Sequence, residues 1–172
     1  SELKTVAKET IETLSKKVNK EDKRIEFSYT ERSAFEAELK FGSDMLVMSM
    51  HTNIFEFPRE HDIMHLSYIK KDVTRSYCGI INLYNFLSDS FKYNRINDVG
   101  YLVARIFINK DYHYFVEGKR QIGLLYNSFA KSKIDRNALK RILETSMNYC
   151  VDFDLLTPVY DSVKLVSLSE KL

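Results

Sequence analysis

Apolar positions recur at three- and four-residue intervals near both ends of the chain and alternate with polar positions between them. Leu3, Val6, Ala7, Thr10, Ile11, Leu14 and Val18 share one face of a helix over residues 1–20, with Lys and Glu on the other face and Ser1 placed as its N-cap. After the charged break at 20–24, Ile25, Phe27 and Tyr29 alternate with Glu26 and Ser28. Phe35, Ala37, Leu39 and Phe41 then alternate with Glu36, Glu38 and Lys40, so two half-exposed strands are predicted. Gly42-Ser43-Asp44 predicts a hairpin turn, because Gly reaches positive φ and Asp closes a turn through its side chain. Residues 45–57 carry Met, Val, Ile and Phe on both parities, the pattern of a strand covered on both faces and ended by Pro58.

Periodicity fades over Arg59 to Ser76, which reads as an irregular connection or a short helix and as the place for a functional loop. Tyr77, Ile80, Ile81, Tyr84, Leu87 and Phe91 then repeat at helical spacing. A helix is expected there, although Gly79 and the paired isoleucines also suit a strand. Residues 94–98 read as a loop. Tyr101 to Ile108 and Tyr112 to Val116, around Asn109-Lys110-Asp111, predict a β-hairpin. Gln121 to Phe129 fits either a further strand or a helical turn. Asp135 is the N-cap of a helix whose stripe is Ala138, Leu139, Ile142, Leu143, Ser146, Met147, Cys150 and Val151, ending before Thr157-Pro158. The tail Val159 to Leu168 is apolar enough to dock on the body.

The expectation is therefore one α+β domain over residues 1–172, an antiparallel sheet of about five strands flanked by N-terminal, middle and C-terminal helices. Hydrophobic residues at 44%, with only 5 Gly and 2 Pro, offset chain entropy by burial and argue against global disorder. The element order helix, three strands, helix, hairpin, helix resembles that of type III secretion chaperones. The matching stretches are Glu2 to Lys20, Ile25 to Phe57, Tyr77 to Lys92, Tyr101 to Val116 and Asp135 to Leu156. That resemblance implies a dimeric, non-catalytic protein whose apolar surface holds an extended partner segment. The chain departs from the family in its long Arg59 to Ser76 insertion, and in lacking the acidic balance common there.

Chemistry-bearing patterns are sparse. The five glycines form neither a dinucleotide-binding nor a phosphate-loop signature, and no cofactor is expected. Cys78 and Cys150 read as small buried hydrophobes of a reducing compartment, and no apolar run is long enough to span a bilayer, so a cytoplasmic protein is expected. His61 and His65 stand four apart and would share a helical face, with His51 and Asp62 as further ligands. The neighbouring residues lack a metalloprotease Glu, and two loop histidines are the simpler reading, so no metal is expected. Glu36 with Glu38, and Asp152 with Asp154, are expected to be solvated pairs.

Net charge is only +2, but residues 59–133 carry 12 basic and 7 acidic groups, interleaved with aromatics. Single-stranded nucleic-acid binding is thus one alternative, and a small-ligand binder or enzyme with an unrecognised pocket is another. The preferred reading is a non-enzymatic interaction module, chaperone- or adaptor-like, that binds a protein partner through a sheet face or edge and self-associates. Its expected contact residues are Tyr68, Lys70, Lys71, Arg75, Tyr77, Tyr112 and Tyr114, on the 59–76 connection and the adjoining hairpin.

Overall fold

The computed structural model describes residues 2–19, 26–119, 121–152 and 166–167. Helix α1 spans Glu2–Asn19 and α5 spans Arg136–Asp152. Each packs the apolar stripe read from its sequence into the core, as far as Leu14 in α1 and Cys150 in α5, while Val151, expected to continue the second stripe, is exposed; the two helices lie together on one face of the sheet. Asp135 caps α5, its Oδ1 accepting the Ala138 N–H at 2.7 Å. The polar members of the stripes are satisfied locally: Thr10 donates to the Val6 carbonyl and Ser146 to that of Ile142, both at 2.8 Å. Glu9 and Arg136 form an ion pair between the two helices.

Strands β1 (Phe27–Ser33), β2 (Glu36–Phe41), β3 (Asp44–Met50), β4 (Cys78–Leu87), β5 (Val99–Asn109) and β6 (Tyr114–Gly118) form an antiparallel sheet in the order of the sequence. A two-residue strand β7 (Val166–Ser167) pairs with the start of β5. Gly42, at φ 64°, makes the tight β2–β3 turn that a side chain would strain. The helix-facing side of the sheet presents Ala37, Leu39, Phe41, Leu46, Met48, Ile81, Leu83, Ala104, Ile106, Tyr114 and Val116, which form one core with α1 and α5.

The opposite face is covered over β4–β6 by the connection 51–76. Its 3-10 turns (Asp62–His65 and Val73–Ser76) and the helix α2 (Ser67–Lys71) bring Phe57, Ile63 and Ile69 onto Cys78, Ile80, Phe107, Phe115 and Phe129. Phe107 and Phe115 stack at 4.8 Å, which ties the aromatic layer to the strands. Toward β3, Met45, Val47 and Phe86 form a smaller cluster beneath Phe91 of α3 (Ser88–Lys92).

An antiparallel sheet flanked by helices is thus the observed class, and several local expectations are corrected. Residues 78–87 are the strand β4, and only 88–92 are helical. With a core on each side, β4 is apolar on both parities, and that run coincides with helical spacing. The third strand ends at Met50; beyond it Phe55 makes an isolated bridge to Cys78. Gln121–Leu125 form the single helical turn α4, which settles the open alternative. Tyr112 belongs to the β5–β6 turn, at φ 61°, and not to a strand. Ser1, Ile25, Asp154 and most of the expected C-terminal tail lie outside the described residues. No described helix is long and apolar enough to cross a membrane.

Candidate functional site: an apolar groove at the ends of the two long helices

The last turns of α1 and α5 meet the start of β1 and the β2–β3 turn around a groove of about 670 Å³. Phe41 and Met147 are buried at its floor, Leu14 and Phe27 are half-buried walls, and Val151 stands on the lip at 65% exposure. Lys17, Asp44, Glu144 and Asn148 supply the polar part of the lining. The lining combines a wide apolar surface with a few charges of both signs, the usual composition of a binding pocket of this size. Its chemistry is that of burial and orientation. The nearby Cys150 thiol is fully buried, and burial, with the Asp44 carboxylate adding to it, pushes its pKa up, so it stays protonated and is a poor nucleophile.

The residues expected to make contacts lie at the other end of the sheet. The 59–76 connection and the β5–β6 turn do come together there. The Tyr68 ring stacks on His113 at 4.6 Å, and the Arg75 guanidinium lies over the same tyrosine ring, 4.5 Å from its centroid. Asn109 Nδ2 donates to the Tyr68 hydroxyl and to the Arg75 carbonyl, both at 3.0 Å. Arg75 is also near Asp111 at 3.7 Å, and Lys110 bonds Asp72 at 2.9 Å and Thr74 at 2.6 Å. The Asp72 carboxyl is held down at about 2, chiefly by the Lys110 and Thr74 hydrogen bonds.

This network clamps the connection to the hairpin, and most of its charges are matched. Tyr77 and Tyr112 are exposed at 41% and 68%, and Lys70 and Lys71 are exposed on α2. Tyr114 is corrected from a surface anchor to a core residue at 5% exposure: its strand parity points it at the helices.

The histidines are also placed apart. His61 is the N-cap of the first 3-10 turn, its Nδ1 accepting the Ile63 N–H at 3.2 Å, so its proton sits on Nε2, 3.5 Å from the Glu117 carboxylate. His65 ends that turn and is exposed, and His51 contacts Asn82 at 2.8 Å. The four-residue spacing therefore does not place two imidazoles on one α-helical face. Among the described residues no three His, Cys, Asp or Glu side chains gather closely enough to hold a metal ion.

Cys78 is buried, and burial pushes its pKa to about 12. Glu38, expected on a solvated face, is only 5% exposed. It pairs with Arg32 at 2.5 Å, and burial raises its pKa against that partner's pull.

The apolar residues of the groove, Leu14, Phe27, Phe41, Met147 and Val151, each obey the stripe or alternation of their own element and are not marked out by the sequence. The available signal is Val151, which continues the α5 stripe past Cys150 and is exposed. No protein-family model, curated protein or solved structure matches this chain.

Proposed function

We propose that the chain is a non-enzymatic interaction module, chaperone- or adaptor-like, that takes an apolar stretch of a partner protein into the groove between α1 and α5. The supporting observation is the groove itself: a large, mainly apolar concavity with an exposed valine at its lip and charges of both signs around it. Each partner side chain of Leu or Phe size buried there contributes about 1.5–3 kcal/mol before the costs of association are met. Lys17 on one wall and Asp44 and Glu144 on others give the occupant a preferred direction. Two free, buried thiols fit a reducing, cytoplasmic setting.

Random peptides displayed and selected on the purified protein test this reading. Selected peptides should carry two or more spaced apolar residues, and should lose binding to Ser43→Trp and Val151→Arg, both exposed positions on the groove rim. Peptides that bind these variants as well as the parent protein, or a failure to enrich any sequence, would overturn it.

A second reading has one observation in its favour. Tyr93 is 58% exposed, with the Lys92 ammonium 5.3 Å and the Arg95 guanidinium 5.4 Å from its ring, an arrangement that stacks a base and neutralises its phosphate. Salt-dependent binding of a labelled oligonucleotide that is lost in Tyr93→Ala would favour it over the groove.

A further inference from the structure

The two edges of the sheet differ. Along β6, the N–H groups of Tyr114 and Val116 donate to the carbonyls of Ser132 and Tyr126 at 3.1 and 2.8 Å, and Ile134 donates to Tyr112 at 2.7 Å. No described backbone group pairs with the outer side of β1, where Lys4 Nζ donates to the Ser33 carbonyl at 2.6 Å and lies 3.5 Å from the Glu31 carboxylate.

The outward groups of β1 follow from its register. Gly42 N–H donates to the Glu26 carbonyl at 2.8 Å, and in an antiparallel pair bonded and non-bonded positions alternate. Ser28 and Thr30 therefore bond inward to their partners Lys40 and Glu38, whereas Phe27, Tyr29 and Glu31 direct both N–H and C=O outward.

We propose that the chain pairs with a second copy of itself through β1, antiparallel about a twofold axis at Tyr29, joining two sheets into one. In that register Phe27 bonds Glu31 of the second copy and Tyr29 bonds its own equivalent, so all the outward groups are matched. Sliding the axis to Glu31 sets two carboxylates directly opposite each other, which disfavours that register. The chosen register instead sets Glu26 across from Arg32 of the second copy, on the face away from the helices.

Helix α1 runs alongside β1, with Lys4 at the Ser33 end and Leu14 at the Phe27 end. A helix advances about 1.5 Å per residue and a strand about 3.3 Å, so the level of Tyr29 falls between about residues 10 and 13 of α1. Lys8, Glu12 and Lys16 are exposed and line the cleft of about 330 Å³ beside Phe27 and Tyr29, so charges of both signs stand next to the axis. The occupant of this edge is thus a second copy, chosen by charge pattern and hydrogen-bond parity together; the interface uses the backbone of Phe27, whose side chain is a wall of the groove proposed for a partner.

Ser28 and Thr30 are exposed and stand opposite each other across the axis. Ser28→Lys with Thr30→Lys places like charges across it twice, whereas Ser28→Glu with Thr30→Lys places opposite charges there and leaves position 30 the same. Sedimentation velocity on the full chain should show a dimer for the parent protein. Dissociation should become about tenfold or more easier in the first variant, and the dimer should be retained in the second, with circular dichroism unchanged in both. Hydrogen exchange should be slow at the amides of Phe27, Tyr29 and Glu31 in the dimer and fast in the first variant. A parent protein that stays monomeric at its highest soluble concentration, a dimer indifferent to both variants, or those three amides protected in a monomer would each overturn the proposal.

Discussion

At the β6 edge the chain folds back on itself, so that residues 126–134 take up the outward backbone groups, whereas at the β1 edge the corresponding groups face outward from the described fold. The capped edge is held by packing as much as by hydrogen bonds, since Phe129 is inserted against Phe115 and Tyr68. The β1 edge has no proline and bends only at the register shift between Glu31 and Ser33. An unpaired edge of this kind invites another strand, and proteins commonly blunt it when no strand is meant to arrive. Covering one edge while leaving the other regular is the pattern of a chain that adds a strand on one side only.

The largest expected effect comes from making the edges alike. Phe129→Ala removes a side chain that is 2% exposed and should cost about 3–5 kcal/mol in urea denaturation, with the amides of Tyr114 and Val116 losing protection from exchange. If those amides stay protected, the hydrogen bonds alone hold the cap. Asp135→Ala acts where the capping segment passes into α5. It should cost about 1 kcal/mol through the lost N-cap, with the β6 edge still covered.

On the bare edge, Tyr29 donates to Glu31 at 3.0 Å, and its hydroxyl is pushed up to about 12, mainly by burial and then by that carboxylate. A folded pKa above the ordinary 10.0 means that its contribution to stability is whole below pH 10 and is lost as pH rises through about 12. Tyr29→Phe should cost less than about 1 kcal/mol at neutral pH and should flatten the alkaline decline seen in thermal melts. The smallest effect is expected from Asp72→Asn. The Asp72 carboxyl is depressed from 3.8 to about 2, so its contribution is present above pH 4 and lost as pH falls toward 2. The variant should remove an acid-induced loosening at the β5–β6 turn, read by exchange at Asp111 and His113, and leave both edges unchanged.

The parts of this fold that were legible from sequence are those where one residue type has one reason to be present. Asp135 followed by an eight-position stripe marks the start of a helix, and Gly42-Ser43-Asp44 between an alternating run and a continuous apolar one marks a hairpin turn. β4 was not legible, because a strand with cores on both sides loses its period of two, and its apolar run coincided with helical spacing. Glu38 shows the converse: alternation put it on the solvent side correctly, but Arg32 and its neighbours bury it there. The groove was illegible for a geometric reason. Its lining comes from residues as distant as Leu14 and Val151, and each looks like ordinary core until the ends of the elements are seen together.

The sheet's strands follow one another in space as they do in the sequence, and this bears on how the molecule reaches its fold. Each neighbouring pair of main strands is joined by the segment directly between them, so hairpins can close early and extend the sheet without searching for distant partners. The packing of α1 against α5 joins the two ends of the chain and must wait for both. That ordering assigns α5 to the late side of the folding barrier. Leu143→Ala, in a side chain fully buried on α5, should therefore hasten unfolding in stopped-flow measurements while leaving the refolding rate nearly as it was.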